Sequence, residues 1–134
     1  MTKEELLERK VGLQWPINNE LNKLRILLQG LANQKHKPIF WDELKIRFSD
    51  SQILRFDTKV LCEIAFNLAI LDFYNIDILK KIFQSDVDLS NDSIILWKFC
   101  KLWQKLQTIP NYSGSSPSKT QLENDRVIQY FKFL

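Results

Sequence analysis

The segment of residues 55–85 constrains the fold most, because its first helix has almost no face that suits water. Apolar residues at helical spacing cover two opposite faces, namely Leu61, Ile64, Ala65, Leu68 and Leu71 on one and Cys62, Phe66, Ala69, Ile70 and Phe73 on the other. Polar residues form a single line of Lys59, Glu63 and Asn67. A helix that is apolar nearly all round must be covered on both sides, so we expect an inner helix in a stack of helices.

The composition indicates one ordinary globular domain over residues 1–134. Apolar residues make up 45% of the chain and charged residues 26%, while three glycines and four prolines argue against a turn-rich β fold. No apolar stretch approaches the ~20 residues that a membrane-spanning helix needs, so we expect no membrane insertion. The net charge of +3 suits an acidic partner such as RNA, and it suits a soluble protein of any other kind equally well.

The periodicity predicts an all-α fold with short loops. The expected helices cover residues 3–10, 18–33, 41–48, 57–73, 90–108 and 121–133, together with one that follows a cap at Asn75 or Asp77 and ends near residue 84. Their predicted N-caps are Asx or Ser side chains, which accept hydrogen bonds from first-turn amides, at Asn18 or Asn19, Asp57, Asn75 or Asp77, and Ser90 with Asn91 and Asp92. The segment 110–119, PNYSGSSPSK, is rich in proline, serine and glycine, so we expect a flexible loop there.

A faint internal repeat is visible in the first two thirds of the chain. Leu44, Lys45 and Phe48 match Leu79, Lys80 and Phe83 at an offset of 35 residues. That offset is typical of helix-turn-helix repeats and predicts two units at about 18–48 and 57–84. The expected architecture is therefore a set of helical hairpins stacked as a short solenoid-like array. A chance alignment of two leucine-rich helices is the alternative.

The cysteines and the N-terminus bear on the compartment. Cys62 and Cys100 lie far apart in apolar helices, so we expect buried free thiols and a reducing compartment. The first ten residues, MTKEELLERK, lack the features of a secretory signal or a transit peptide. We therefore expect either a protein that its own N-terminus does not target or an internal piece of a longer protein.

Side chains that could support catalysis or bind a metal do not form a convincing set. His36 is the only histidine and no CxxC pair is present, so we expect no metal and no other cofactor. Cys62 sits in an apolar helix, where burial would suppress its thiolate. The acidic cluster of residues 86–92 lacks the glycine and the final glutamate of a calcium loop, which favours helix capping. These patterns predict a protein that is not an enzyme.

Basic residues near aromatic ones suggest an RNA-binding surface. Lys98, Lys101 and Lys105 form a stripe on the helix of residues 94–106, and Trp97 lies one turn before Lys101. Such a stripe can bind phosphates while a base stacks on the aromatic ring. The alternative is a solvated helix face with Trp97 packed into the next helix. Similar positions after the turn of each repeat unit carry further candidates, namely Lys80, Lys81, Lys45 and Arg47.

A family resemblance covers roughly residues 55–114. Phe56-Asp57, the run from Ala65 to Tyr74, Leu79 with Ile82-Phe83, and Pro110-Asn111-Tyr112-Ser113-Gly114 resemble a helical segment of the FAST kinase domain-containing family. The resemblance implies helical repeats that bind RNA in mitochondrial RNA metabolism, and hence a mitochondrial location, with the cytoplasm as the alternative. Neither the RAP domain nor the transit peptide of that family has a counterpart here. A phosphate-binding glycine loop, which a kinase would need, is also missing.

Two functions therefore stay open. The first is a non-enzymatic helical module for RNA binding or scaffolding. The second is a protein-interaction module whose exposed aromatic residues, Trp15, Trp41 and Trp97, mark the interface.

Overall fold

The computed structural model describes residues 14–132, with side chains from Glu20 onward. The helix expected at residues 3–10 and the side chain of Trp15 lie outside what is described. Seven α-helices follow in order: α1 Gln14–Gln34, α2 Trp41–Phe48, α3 Thr58–Ile70, α4 Ile76–Phe83, α5 Ser93–Gln107, α6 Lys119–Leu122 and α7 Asp125–Lys132. Short 3-10 helices cover Ser51–Arg55 and Leu89–Asn91. Every regular element within residues 14–132 is helical, which confirms the all-α prediction.

The first helix is longer than predicted. Within the described residues it runs from Gln14 and includes Trp15 and Pro16, whereas the sequence favoured a start at Asn18 or Asn19. Proline is tolerated in the first turn of a helix, where an amide would lack an intrahelical partner in any case. Pro16, the third described residue of α1, is therefore compatible with the helix.

Helix α3 is the inner helix of the fold. It packs against α1, α4 and α5, and its buried residues are Thr58, Leu61, Cys62, Ile64, Ala65, Asn67, Leu68 and Ala69. As predicted, the Asp57 side chain caps it by accepting a hydrogen bond from the Val60 amide at 2.9 Å. One detail of the prediction is wrong. Asn67 was expected on the polar line of the helix, but its side chain is buried and only 4% exposed. Lys59 and Glu63 are half-buried beside it.

Helices α1 and α3 end in the same backbone motif. Asp72 has a φ of 60° and Lys35 a φ of 51°, both in the left-handed region. After α3, the Phe73 amide donates to the Leu68 carbonyl and the Asp72 amide to the Ala69 carbonyl. The corresponding pairs after α1 are His36 to Leu31 and Lys35 to Ala32. These are the two hydrogen bonds of a Schellman motif, which turns the chain sharply after the last helical residue.

Hydrogen bonds join α4 to the chain around α2 and the first 3-10 helix. The Asn75 side chain caps α4, as predicted, and its Nδ2 also donates to the Phe48 carbonyl at 2.8 Å. Lys81 Nζ donates to the Leu54 carbonyl. Trp41 is only 8% exposed, with its ring edge-on to Phe73 at 6.3 Å. The prediction that Trp41 is exposed for a partner is therefore wrong, because the ring packs into the core.

Helix boundaries recur at the predicted offset. Helices α2 and α4 begin at Trp41 and Ile76 and end at Phe48 and Phe83, so both pairs of boundaries lie 35 residues apart (76 minus 41, and 83 minus 48). The stacking of the hairpins as a solenoid-like array stays a prediction.

The C-terminal part differs from the single helix expected at residues 121–133. Two helices occur instead, because Ser118 starts α6 early through a capping box with Gln121. Asn124 then separates α6 from α7, and its side chain accepts a hydrogen bond from the Arg126 amide at 3.0 Å. Helix α7 packs on α5 and buries Val127. Phe133 lies outside the described residues.

The loop before α6 is anchored at two points. Pro117 is buried, and Tyr112 packs against the core while its hydroxyl donates to the Ser115 carbonyl at 2.6 Å. Tyr112 and Pro117 therefore tie the ends of this segment to the core, while the flexibility expected of it stays a prediction. Within residues 14–132, no helix is both long enough and apolar enough to span a membrane.

Candidate functional site

A groove of about 360 Å³ runs between α3 and α5. Its lining consists of Phe66, Ala69 and Ile70 from α3 and Lys101, Leu102, Gln104, Lys105 and Thr108 from the end of α5 and its C-cap. The floor is aliphatic and aromatic, and two lysines stand on the α5 side. Helix α3 is apolar nearly all round, so the part of its surface that α5 covers incompletely becomes an apolar floor.

An aromatic pair stands beside the groove. The ring centroids of Phe66 and Trp97 are 5.5 Å apart, with their planes inclined at 60°. Trp97 remains 45% exposed, while Phe66 is half-buried. The sequence left two alternatives for Trp97, a packed ring or an exposed one. In the structure the tryptophan packs against one neighbour and still presents almost half of its surface to solvent.

Two stripe lysines lie close to these rings. Lys98 Nζ is 5.8 Å from the Phe66 centroid, and Lys101 Nζ is 5.7 Å from the Trp97 centroid. No acidic side chain of the described residues forms a salt bridge with either ammonium. A cation–π contact at an exposed site contributes only about 0.5–1 kcal/mol. Both ammonium groups can therefore turn from the ring towards a phosphate at a small cost.

Lys105, the third stripe lysine, has a different role. Its Nζ donates to the Ala69 carbonyl at 2.6 Å and lies 3.5 Å from Asp72 Oδ1. Both partners belong to the C-terminal turn of α3, where the helix dipole favours a positive charge. Lys105 therefore ties α5 to the end of α3 and is less free than Lys98 and Lys101 to bind a ligand.

The remaining candidates lie away from the groove. Lys45 pairs with Asp42 at 2.9 Å, and Arg47 lies 3.5 Å from Glu20. Lys81 is bound to a backbone carbonyl, as described above, and Lys80 is exposed. None of these four basic residues lines the groove. Of the residues predicted to contact RNA, the structure thus brings together Trp97, Lys98, Lys101 and Lys105.

Phe66 and Ile70 are two of the six groove residues that the sequence did not indicate as part of a site. Both were assigned to a covered face of α3, although each is half-buried. Their spacing of four residues places them on the same side of the helix, next to Ala69. This spacing was visible in the sequence, but how far a neighbouring helix covers a given face depends on tertiary packing.

The cysteine thiols are unsuited to nucleophilic chemistry at neutral pH. Burial raises the pKa of the Cys62 thiol to about 12 and that of Cys100 to about 11. Both cysteines are free. The acidic residues of the 86–92 segment act partly as predicted, because Asp88 caps the second 3-10 helix and Asp92 caps α5. In the part of the chain that the structure describes, no group of three or more histidine, cysteine or acidic residues is arranged to bind a metal ion.

Comparisons of the chain with protein-family models, with curated proteins and with solved structures found no significant match.

Proposed function

We propose that this protein is a non-enzymatic helical module that binds single-stranded RNA along the groove between α3 and α5. The observation that supports the proposal is the aromatic pair of Phe66 and Trp97 with an ammonium group within 6 Å of each ring. A base can stack on the exposed part of Trp97 while Lys98 and Lys101 bind the flanking phosphates. The resemblance to the FAST kinase domain-containing family agrees with this function and extends the proposal to mitochondrial RNA metabolism.

A second function is favoured by the floor of the groove. Phe66 and Ile70 are half-buried and offer apolar surface there, beside Ala69 and Leu102, which are only 2% and 1% exposed. Such a surface suits an apolar side chain of a protein partner better than it suits a phosphate. The two functions differ in their dependence on salt, because RNA binding releases counterions and apolar docking does not.

The lysine test uses a fluorescein-labelled oligouridylate of about 12 nucleotides, within the usual site size for single strands. Its affinity is measured by fluorescence anisotropy over a range of salt concentrations. Replacing Lys98 and Lys101 by Gln should weaken binding and reduce the salt slope by roughly 1.4, at about 0.7 for each lost phosphate contact. Lys105 stays unchanged in this variant because it holds the end of α3.

A matched control removes the same charge elsewhere. Lys37 and Lys132 are exposed and do not line the groove, and no ion pair of either is seen among the described residues. The Lys37→Gln/Lys132→Gln variant should therefore retain the salt slope of the parent. Equal losses in the two double variants would indicate non-specific attraction and would contradict a site at the groove.

The tryptophan test separates stacking from charge. Trp97→Ala should weaken binding by about 1–3 kcal/mol with little change in the salt slope, because it removes a stacking surface and no charge. Trp97→Phe should retain part of that affinity. Melting followed by circular dichroism checks that each variant folds, since Trp97 also contacts Phe66. Unchanged RNA affinity in folded lysine and tryptophan variants would favour the protein-interaction module instead.

A further inference from the structure

A second cavity, of about 510 Å³, opens on another face of α5. It lies between the loop that follows α4, the N-terminal half of α5, and helices α6 and α7. No residue is shared between its lining and that of the groove described above. Its volume falls within the usual range for sites that bind small molecules, which is about 300–1,000 Å³.

The floor of this cavity is apolar and its walls are tied together. Leu89, Phe99 and Val127 are buried at its base. The Gln121 side chain links α6 to α4, because its Nε2 donates to the Ile82 carbonyl at 3.0 Å while its Oε1 accepts from the Ser118 amide at 2.9 Å. The first bond ties α6 to the end of α4, and the second fixes the Gln121 side chain within the first turn of α6.

All charged residues that line the cavity are acidic. They are Asp86 and Asp88, and no lysine, arginine or histidine lines it. Asp88 is already engaged, because Ser90 donates to its Oδ1 through both the amide and the hydroxyl group, at 2.9 and 2.5 Å. These hydrogen bonds lower the pKa of Asp88, and the positive charges of Arg126 and Lys59 lower it further.

The Asp86 carboxylate remains available. It is exposed and forms no salt bridge with any described residue. Arg126, whose Nη1 donates to the Ser90 carbonyl at 2.6 Å, forms no salt bridge with Asp86. The cavity thus combines an apolar floor with a free negative charge at its rim.

We infer that this cavity binds a small organic cation with an apolar body. The body would pack against the accessible side chains of Val87 and Leu96, above the buried floor, and the ammonium group would approach Asp86. This site is independent of the proposed RNA groove, and either can fail without the other.

Three probes of similar shape test the charge preference, namely phenethylammonium, neutral 2-phenylethanol and anionic 3-phenylpropionate. Each is titrated into ¹⁵N-labelled protein, and amide shifts are followed in two-dimensional NMR spectra. Phenethylammonium should shift the amides of residues 85–89 and 118–124 in a saturable manner. It should bind about two- to fivefold more tightly than the alcohol, as expected for one exposed ion pair. The carboxylate should bind most weakly.

Asp86→Asn should abolish the preference for the ammonium over the alcohol, while Asp77→Asn should retain it. Asp77 is an exposed aspartate that does not line the cavity, so it controls for net charge. In the parent protein the preference should also fade as salt is raised. The inference is wrong if no probe gives saturable shifts at these residues, if the alcohol or the carboxylate binds as tightly as the ammonium, or if Asp86→Asn keeps the preference.

Discussion

Lys105 shows at the scale of one residue how a side chain expected to bind RNA can stabilise the fold instead. Its ammonium contacts the Ala69 carbonyl and Asp72 at the end of α3. Lys105→Gln should lower the free energy of unfolding by about 0.5–1.5 kcal/mol, because one hydrogen bond to a charged group is lost at a partly exposed site. Urea denaturation measures the change. Lys101→Gln is the control and should have a smaller effect, and an equal loss in both variants would contradict this role.

The two buried thiols predict a dependence of stability on pH. Each thiol has a folded pKa, about 12 for Cys62 and about 11 for Cys100, above its unfolded value of about 9. The native state therefore keeps protons that the unfolded state releases. Their contribution to stability is fully present below about pH 9 and decreases as the pH rises towards the folded values, by up to about 1.4 kcal/mol per pH unit for each thiol.

Unfolding free energies measured between pH 8 and pH 11 test this prediction, with those two limits chosen as roughly one unit below and two above the unfolded pKa. Cys62→Ala and Cys100→Ala should each show a shallower decrease than the parent, because other groups titrate equally in all three proteins. If the unfolding free energies of all three proteins decreased in parallel as the pH rises, the thiols would not be the source of the decrease.

Residue-level features that depend on near neighbours in the chain were predictable. Asp57 caps α3 as predicted, while Asn75 and Asp92 are each one of the alternatives predicted for their helices, since an Asx side chain reaches amides only two or three residues away. Helix α5 begins at Ser93, three residues later than expected. Trp41 and Asn67 were not predictable in the same way. Their burial depends on elements distant in the sequence, and neither residue type indicates which neighbour will cover it.

At the scale of a single element, α3 carries most of the packing. Leu68, in the last turn of α3, is only 1% exposed, so Leu68→Ala removes buried methyl groups and leaves a cavity. We expect a loss of about 2–5 kcal/mol in the free energy of unfolding. Leu27→Ala on α1 is the matched control, because Leu27 is 40% exposed. A melting temperature within about one degree of the parent for Leu68→Ala would mean that α3 is not the inner helix.

The ends of elements were harder to predict than their presence. The two Schellman motifs use Lys35 and Asp72 in the left-handed region, where glycine is the usual signal. The break at Asn124 was hidden because amphipathic spacing continues across it. Of the groove between α3 and α5, only one side could be predicted. The sequence indicated the lysine stripe on α5, but the apolar floor on α3 depends on how far the two helices are packed apart.

At the scale of the whole molecule, α1, α4 and α5 pack around α3, and the loop between α5 and α6 crosses the surface. Its ends are held by Tyr112 and Pro117, while Ser113, Gly114 and Ser116 are exposed. We expect a protease of broad specificity to cut first within residues 113–116, because exposed loop backbone is the preferred site of nicking. Mass spectrometry of the first fragments identifies the cut. A first cut within residues 57–83 would contradict the packing around α3.

The anchoring of this loop can be tested separately. A Cβ atom at Gly114 would lie 2.6 Å from the Tyr112 hydroxyl oxygen, so Gly114→Ala should displace the ring and release its hydrogen bond to Ser115. The variant should be cut faster than the parent, at the same place. Gly30→Ala is the matched control, because a Cβ there meets no atom within 4 Å. Alanine in that exposed turn of α1 should instead stabilise the helix by about 0.5–1 kcal/mol and leave the rate of loop cleavage unchanged. If Gly114→Ala were cut no faster than Gly30→Ala, Tyr112 would not restrain the loop in solution.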